Sequence, residues 1–290
     1  MKSAVPTLYV VATPIGNLSD MSPRAVETLK NCGLIAAEDT RVTMKLTAHF
    51  GIKTPLTSCH EHNEQGKAGW IVERMVSEGI DVALTTDAGT PAISDPGYQV
   101  VKAAWEAGIP VLPIPGPTAM ASALSVCGFD TAEFAFYGFL PRQKKELREK
   151  LLSISQGVPI VVIHESPYRV LELMETVNEL LPQTMVSVSC DLTKLHELTL
   201  RGGIGEVLQK MRANPKVEKG EYCIVLDFHQ VPPQEKPEVF NASLEARLCE
   251  AMISGAALRE AMDRLIAAGE KKNAVYAASL KVKALLNPQE

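Results

Sequence analysis

Apolar residues along this chain fall into short runs, each followed by a polar or Pro/Gly-rich segment and then by a stretch with helical spacing. Leu8-Tyr9-Val10-Val11-Ala12, Leu34-Ile35-Ala36-Ala37, Val82-Ala83-Leu84 and Val111-Leu112 are too short for core helices and are bounded by turn residues. They read as strands buried on both faces. From Tyr98 to Ala107 the pattern changes to a helical one. The strand, loop, helix rhythm of residues 7–128 predicts a parallel sheet covered by helices on both faces.

A second alternation follows. Phe134 to Leu140 reads as an aromatic strand, Gln143 to Ser155 as a charged helix behind Pro141, Ile160 to Ile163 as a strand and Val170 to Leu181 as a helix. The remaining strands are Met185 to Ser189, Glu197 to Leu200 and Tyr222 to Phe228, with a helix from Glu206 to Met211. Successive strands without a helix between them predict mixed parallel and antiparallel pairing. Val231 to Pro237 has linker composition, and amphipathic helices are expected at Leu244 to Met252, Leu258 to Ala268 and Lys272 to Leu286. The expected architecture is α/β: a parallel-sheet N-terminal domain (1–130), a mixed-sheet second domain (131–232) and a small helical C-terminal domain (238–290).

The candidate chemistry sits where strands end. Asp87 to Gly97 (Asp-Ala-Gly-Thr-Pro-Ala-Ile-Ser-Asp-Pro-Gly) follows one strand run, Thr13-Pro14-Ile15-Gly16-Asn17 another, and Pro113 to Ala119 a third. Rigid loops at the carboxyl ends of parallel strands expose backbone N–H and C=O groups where open α/β sheets bind ligands. A dinucleotide is argued against: the first loop lacks the G-x-G-x-x-G spacing, and Pro14 removes a donor that a pyrophosphate would use. An adenine, a ribose and a compact zwitterionic tail suit such loops better, a description that S-adenosylmethionine fits.

Composition narrows the setting. The chain has 290 residues, 46% of them hydrophobic, enough for a sizeable core and for more than one domain. No apolar run reaches the roughly 18 residues of a membrane helix, and the first residues lack a signal-peptide core, so a cytoplasmic location is expected. The six cysteines are scattered with no C-x-x-C pair, which predicts buried free thiols. A net charge of −5, carried in full by residues 1–140, argues against a wholly basic nucleic-acid surface. Any polyanion should meet Arg142, Lys144, Lys145, Arg148 and Lys150, or the tail cations Arg259, Arg264, Lys271, Lys272, Lys281 and Lys283.

Taken in order, Thr13-Pro14-Ile15-Gly16-Asn17, Ala36 to Arg41, Asp87 to Pro91, Pro115-Gly116-Pro117, Gly138 to Pro141, Glu165 to Arg169, Leu192-Thr193-Lys194 and Lys219-Gly220-Glu221 closely resemble the tetrapyrrole (corrin/porphyrin) methylase superfamily, in its branch that methylates ribosomal RNA. The resemblance spans nearly the whole chain. It implies a tetrapyrrole-methylase-like fold and a homodimer with S-adenosylmethionine folded between two α/β domains. It further implies 2′-O-methylation of a cytidine, cytidine 1402, in the decoding region of 16S rRNA on the small ribosomal subunit. Motif matching implies cofactor contacts from Pro14, Asp87, Ala88, Gly89, Ala92, Ile93, Thr118 and Ala119 in the first domain and from Ser166, Leu192 and Leu226 in the second. His164 departs from the aromatic residue expected before Glu165-Ser166. A tetrapyrrole methylase, or a regulator that binds S-adenosylmethionine without turnover, would share this cleft.

Charged residues at strand ends supply the catalytic candidates Glu38, Arg41, Glu165 and Lys194, with Asp39, Arg169 and Glu221 nearby. A ribose hydroxyl is a weak acid, so its attack on a sulfonium methyl profits from a general base or from a cation beside the developing alkoxide. Arg41, Arg169 and Lys194 equally suit RNA phosphates, and Glu38 or Glu165 equally suit helix caps or ion pairs. Read as a strand, Cys59 to His62 puts His60 and His62 on one face, yet no further ligand lies nearby and no metal is expected. Phe134, Phe136, Tyr137 and Phe139 read as domain-junction core, with Tyr137 and Tyr168 as candidate base-stacking partners.

Overall fold

The structure is a computed structural model that describes residues 5–233 and 243–286, so most of the expected linker lies outside the described residues. Residues Met1–Pro232 form one compact unit and Pro233–Glu290 a second.

The first sheet contains β1 (Leu8–Val11), β2 (Leu34–Ala37), β3 (Leu56–Ser58), β4 (Val82–Thr85) and β5 (Val111–Ile114), all parallel, in the order β3-β2-β4-β1-β5. The apolar strands alternate between two cores, as a strand's twofold period requires. Leu34 and Ala36 join α3 (Glu64–Glu78) and α4 (Tyr98–Glu106), whereas Ile35 and Ala37 join α1 (Pro23–Asn31) on the other face. Ser22 caps α1 by accepting from the Ala25 N–H, and Pro23 follows where no intrahelical donor is needed. α2 (Thr40–His49) follows β2. The edge strand β3 was not expected from the sequence: its three residues are only half-buried and carry two hydroxyls.

The second sheet comprises β6 (Phe134–Phe139), β7 (Ile160–Glu165), β8 (Met185–Cys190), β9 (Leu198–Gly203) and β10 (Tyr222–Asp227) in the order β6-β7-β10-β8-β9. Only β6 and β7 pair in parallel, which gives the mixed sheet expected. One face packs on α6 (Lys144–Ile154), α7 (Val170–Leu180) and α8 (Ile204–Ala213). The other packs on α5 (Ala119–Val126), which leaves the last strand of the first sheet and lays Ala123 against Val162, Cys223 and Val225 of the second. This crossing of α5 is why both sheets belong to one compact unit.

The second unit holds three helices, α9 (Leu244–Ile253), α10 (Leu258–Ala267) and α11 (Lys272–Leu286), close to their sequence-predicted bounds. They enclose Leu248, Ala261, Leu265, Val275, Ala278 and Val282. Arg247 with Glu270 and Lys281 with Glu245 form ion pairs between its segments.

Candidate active-site cleft

A cavity of about 380 Å³ opens where the carboxyl ends of β1, β4 and β5 meet the end of the second sheet at which β7 stops and β10 starts. The loops after the three parallel strands form one wall. Thr13 and Gly89 exchange backbone hydrogen bonds at 2.8 and 3.1 Å, locking the β1 and β4 loops together. The β4 loop then takes an unusual path: Gly89, Ala92, Ser94 and Gly97 have φ of +88°, +64°, +67° and +133°. Two non-glycine residues in the left-handed region store strain that persists only where the surroundings over-determine the backbone, as at functional sites. Ala92 N–H bonds Pro96 O at 3.2 Å. Oε1 of the buried Glu64, from α3, accepts from Gly97 N–H at 2.9 Å and Gln99 N–H at 2.6 Å at the start of α4.

Of the residues singled out for the cofactor, Ala88, Gly89, Ile93, Thr118, Ala119, Ser166 and Leu192 line this cavity. Four do not. Pro14 is buried beside the Thr13–Gly89 bridge, and Ala92 shapes the loop behind the wall. Asp87 accepts from Asp39 N–H at 3.1 Å. Leu226 is corrected outright: it lies fully buried in the α6–α8 core, because the twofold period sends Leu226 to one face of β10 and Val225 to the other.

The four catalytic candidates part company. Glu165, its side chain wholly buried, is at the cavity wall: Oε1 accepts from Ser166 N–H at 2.7 Å, while Oε2 lies 3.3 Å from Arg169 and has no hydrogen-bond partner. Glu38 is used structurally, accepting from the Thr86 hydroxyl and from Asp87 N–H at 3.2 Å, and so ties the end of β2 to the end of β4. Arg41 is exposed and holds Asp39 with bonds at 3.0 and 3.1 Å, keeping that carboxyl low at about 2. Lys194 sits 3.0 Å from Asp191 and 3.1 Å from Glu221, so two carboxylates neutralise it beside the cleft.

Gly220 and Glu221 were named from the sequence as part of a motif, whereas Tyr222 and Cys223 were not. All four line the cleft at the start of β10, and only the antiparallel pairing of Tyr222 with Glu165 and Cys190 brings a strand start to the end where β7 and β8 finish. Burial pushes the Cys223 thiol up to about 12, so it is no nucleophile at neutral pH. Burial lowers His164, against the opposing charge of Glu221, and its ring packs on Phe136 and Phe139 with centroids 5.1 and 5.9 Å apart. Asp95 also lines the cavity; burial first, then the charges of Glu38 and Asp87, raise its carboxyl to about 6.

The aromatic run is not the uniform core expected. Phe136 packs on the α5 cluster, but Phe134 and Phe139 are exposed. A break in register between Phe136 and Phe139, with Gly138 at φ +58°, turns Phe139 out to the cleft mouth. His60 and His62 are likewise not on a strand: β3 ends at Ser58 and Asn63 Oδ1 caps the following turn at His60 N–H, 2.9 Å away. Among the described residues no His, Cys, Asp and Glu side chains gather as a metal site, and no helix is long and apolar enough to cross a membrane. The six cysteines are free.

The cleft fits S-adenosylmethionine by its donor set. Ile15, Ile93, Met120 and Leu192 offer apolar surface for a base. The first turn of α5 leaves N–H groups uncapped by Thr118, suited to a carboxylate, and the open Glu165 Oε2 suits an N–H or O–H donor.

A parallel sheet and a mixed sheet around one cleft are the architecture of the tetrapyrrole methylases, and the chain belongs to that family: the profile of the tetrapyrrole (corrin/porphyrin) methylases matches residues 7–208. Solved structures share the fold. The cobalt precorrin-4 methyltransferase CbiF aligns with a TM-score of 0.55 at 16% identity, over 80% of this chain and 99% of its own. Uroporphyrin-III C-methyl transferase from Thermus thermophilus, complexed with S-adenyl homocysteine, aligns at 0.52 and 16%, over 76% and 96%. The sequence relatives point to one particular member. Proteins from Halalkalibacterium halodurans (44% identical, 79% of each chain) and Escherichia coli O157:H7 (38%, 94% of each chain) are both named ribosomal RNA small subunit methyltransferase I.

Proposed function

We propose that this chain transfers the methyl group of S-adenosylmethionine to the ribose 2′-oxygen of a cytidine, cytidine 1402, in the decoding region of 16S rRNA. The observation that carries the reading is identity of 37–44% over most of the chain to relatives named for rRNA methylation, on a fold whose strand-end loops line a formed cleft. When bound, S-adenosylmethionine supplies an electrophilic methyl on a sulfonium. The chain's own residues do the rest. Ile93, Met120 and Leu192 exclude water around the reacting atoms. Arg169, half-buried, bridges Glu165 and the Pro141 carbonyl at 3.3 and 3.0 Å and fixes the far wall. Arg142 and Lys144, which follow β6 at the cleft end of the second sheet, suit RNA phosphates. On the same reading the protein acts in the cytoplasm as a homodimer, with residues 1–130 and 131–232 as the halves of the cleft and 238–290 as an RNA-contacting domain.

The test is methyl transfer from labelled S-adenosylmethionine to unmodified small subunits, with a tetrapyrrole offered in parallel. Label in 16S rRNA is the expected result. Label in the tetrapyrrole alone overturns the substrate, and cofactor binding without transfer to either makes the chain a regulator.

A further inference from the structure

We propose that Asp95 is the catalytic base that takes the proton from the attacking ribose hydroxyl, an inference that rests on the cleft being a site of methyl transfer to RNA. The carboxyl groups around the cleft have different employments. Glu38 binds the β4 loop, Asp87 accepts from Asp39 N–H, Glu165 accepts from Ser166 N–H and faces Arg169, and Glu221 pairs with Lys194. Asp95 lines the cavity and, among the described residues, has neither a hydrogen bond nor an ion pair. A half-buried carboxylate with no protein partner in a cleft costs folding free energy and is available to a ligand group that bonds it.

The backbone that carries Asp95 is held from three sides. Ala92 N–H to Pro96 O closes the loop around it, and Glu64 pins Gly97 and Gln99 just beyond. On the far side Gly138, at the β6 bulge, approaches so closely that a Cβ there would lie 2.8 Å from Ser94 Oγ. Fixing a base within hydrogen-bond reach of its proton is what general-base catalysis requires. Glu38 and Asp87 on its own side, and Glu165, Glu221, His164, Tyr222 and Cys223 across the cavity, are the titratable groups around it; burial holds the last two protonated at neutral pH. Burial and the first two of these charges raise the Asp95 carboxyl to about 6, so it is ionised at neutral pH and close enough to that pH to accept a proton.

The step balances without a redox partner. The hydroxyl oxygen forms a bond to the methyl carbon, the carbon–sulfur bond breaks with its electron pair returning to sulfur, and the hydroxyl proton passes to Asp95 and then to solvent. The positive charge of the sulfonium leaves as that proton.

The experiment compares the parent chain with Asp95→Asn, Asp95→Glu and His164→Asn. It follows methyl transfer to small subunits from pH 5 to 9, S-adenosylmethionine affinity by calorimetry, and melting temperature. Asp95→Asn is expected to lower kcat by about 10²–10⁴-fold, to keep cofactor affinity within about twofold, to melt no lower than the parent, and to lose the parent's rate limb near pH 6. Asp95→Glu should recover part of the rate with the limb displaced. The proposal is overturned if Asp95→Asn stays within about threefold of the parent, or if it keeps the limb while His164→Asn loses it. A parent chain that methylates no RNA removes the function proposed above, and the hydroxyl acceptor with it. A parent that methylates RNA beside an unimpaired Asp95→Asn removes Asp95 alone.

Discussion

Glu64 shows how a residue remote from the chemistry sets the cleft. Its buried carboxylate accepts two backbone N–H bonds, at 2.9 Å from Gly97 and 2.6 Å from Gln99, and so ends the strained β4 loop and starts α4. In Glu64→Leu both donors lose their acceptor. Each hydrogen bond to a charged group contributes about 1.5–3 kcal/mol, and a carboxylate at a helix N-terminus adds about 0.3–1 kcal/mol. The leucine side chain returns part of this through apolar burial, about 1.5–3 kcal/mol at most. The net loss is therefore about 2–4 kcal/mol, and at roughly 2–4 °C per kcal/mol for a unit of this size the melting temperature falls by about 10 °C. Glu64→Gln keeps an amide oxygen for both donors and loses only the charge, so it should cost about 1 kcal/mol. Thermal unfolding followed by circular dichroism, with cofactor affinity by calorimetry, reads both effects: Leu should fall well below Gln in stability and should also weaken S-adenosylmethionine binding. A Glu64→Leu chain that melts within a degree or two of the parent, or a Gln variant as damaged as Leu, would refute the reasoning.

Other consequences are as direct. Gly89→Val should abolish S-adenosylmethionine binding in calorimetry, because φ of +88° strains any branched side chain and its methyl groups would enter the cavity; an unchanged Kd would remove this loop from the cofactor site. Asp95, raised to about 6, destabilises the folded chain once ionised: stability is fully present below the ordinary carboxylate range and declines as pH rises through 6. Asp95→Asn should therefore be more stable than the parent by about 1 kcal/mol at pH 8 and no more stable at pH 4, and equal urea midpoints at both pH values would contradict this. Arg142→Gln with Lys144→Gln should weaken RNA binding and reduce its salt slope by roughly 1.5–2 units while leaving cofactor affinity alone. Arg148 is left out because it bonds Glu179 at 2.7 Å; a parental slope would place the RNA path elsewhere.

Most strands and helices were legible because burial on two faces writes an apolar run, and a helix between such runs writes its own period. Leu34–Ala37 and Lys272–Leu286 fall at the bounds the pattern gives. Strand β3 was not legible, since an edge strand of three half-buried residues leaves no such run. In the cleft, the Pro/Gly loops announced the first wall, and Ala88, Gly89, Ile93, Thr118 and Ala119 stand there. The second wall was legible only in part: Ser166, Leu192 and Glu221 were named, but Tyr222 and Cys223 reach it through antiparallel pairing that no local pattern encodes. Charged strand ends were ambiguous for the same reason: Glu38 and Lys194 spend their charge on the ends of β4 and β8, whereas Asp95, two residues past Ile93, is left facing the cavity.

The most direct test of the account is to incubate the purified chain and S-adenosylmethionine with small subunits that lack the modification, and to map ribose methylation along 16S rRNA by mass spectrometry of nuclease fragments. The account predicts a single added methyl group on the 2′-oxygen of one decoding-region cytidine, absent when the cofactor is omitted and absent with Gly89→Val. Methylation on a base, at scattered riboses, or nowhere in the RNA while the cofactor is bound would contradict it.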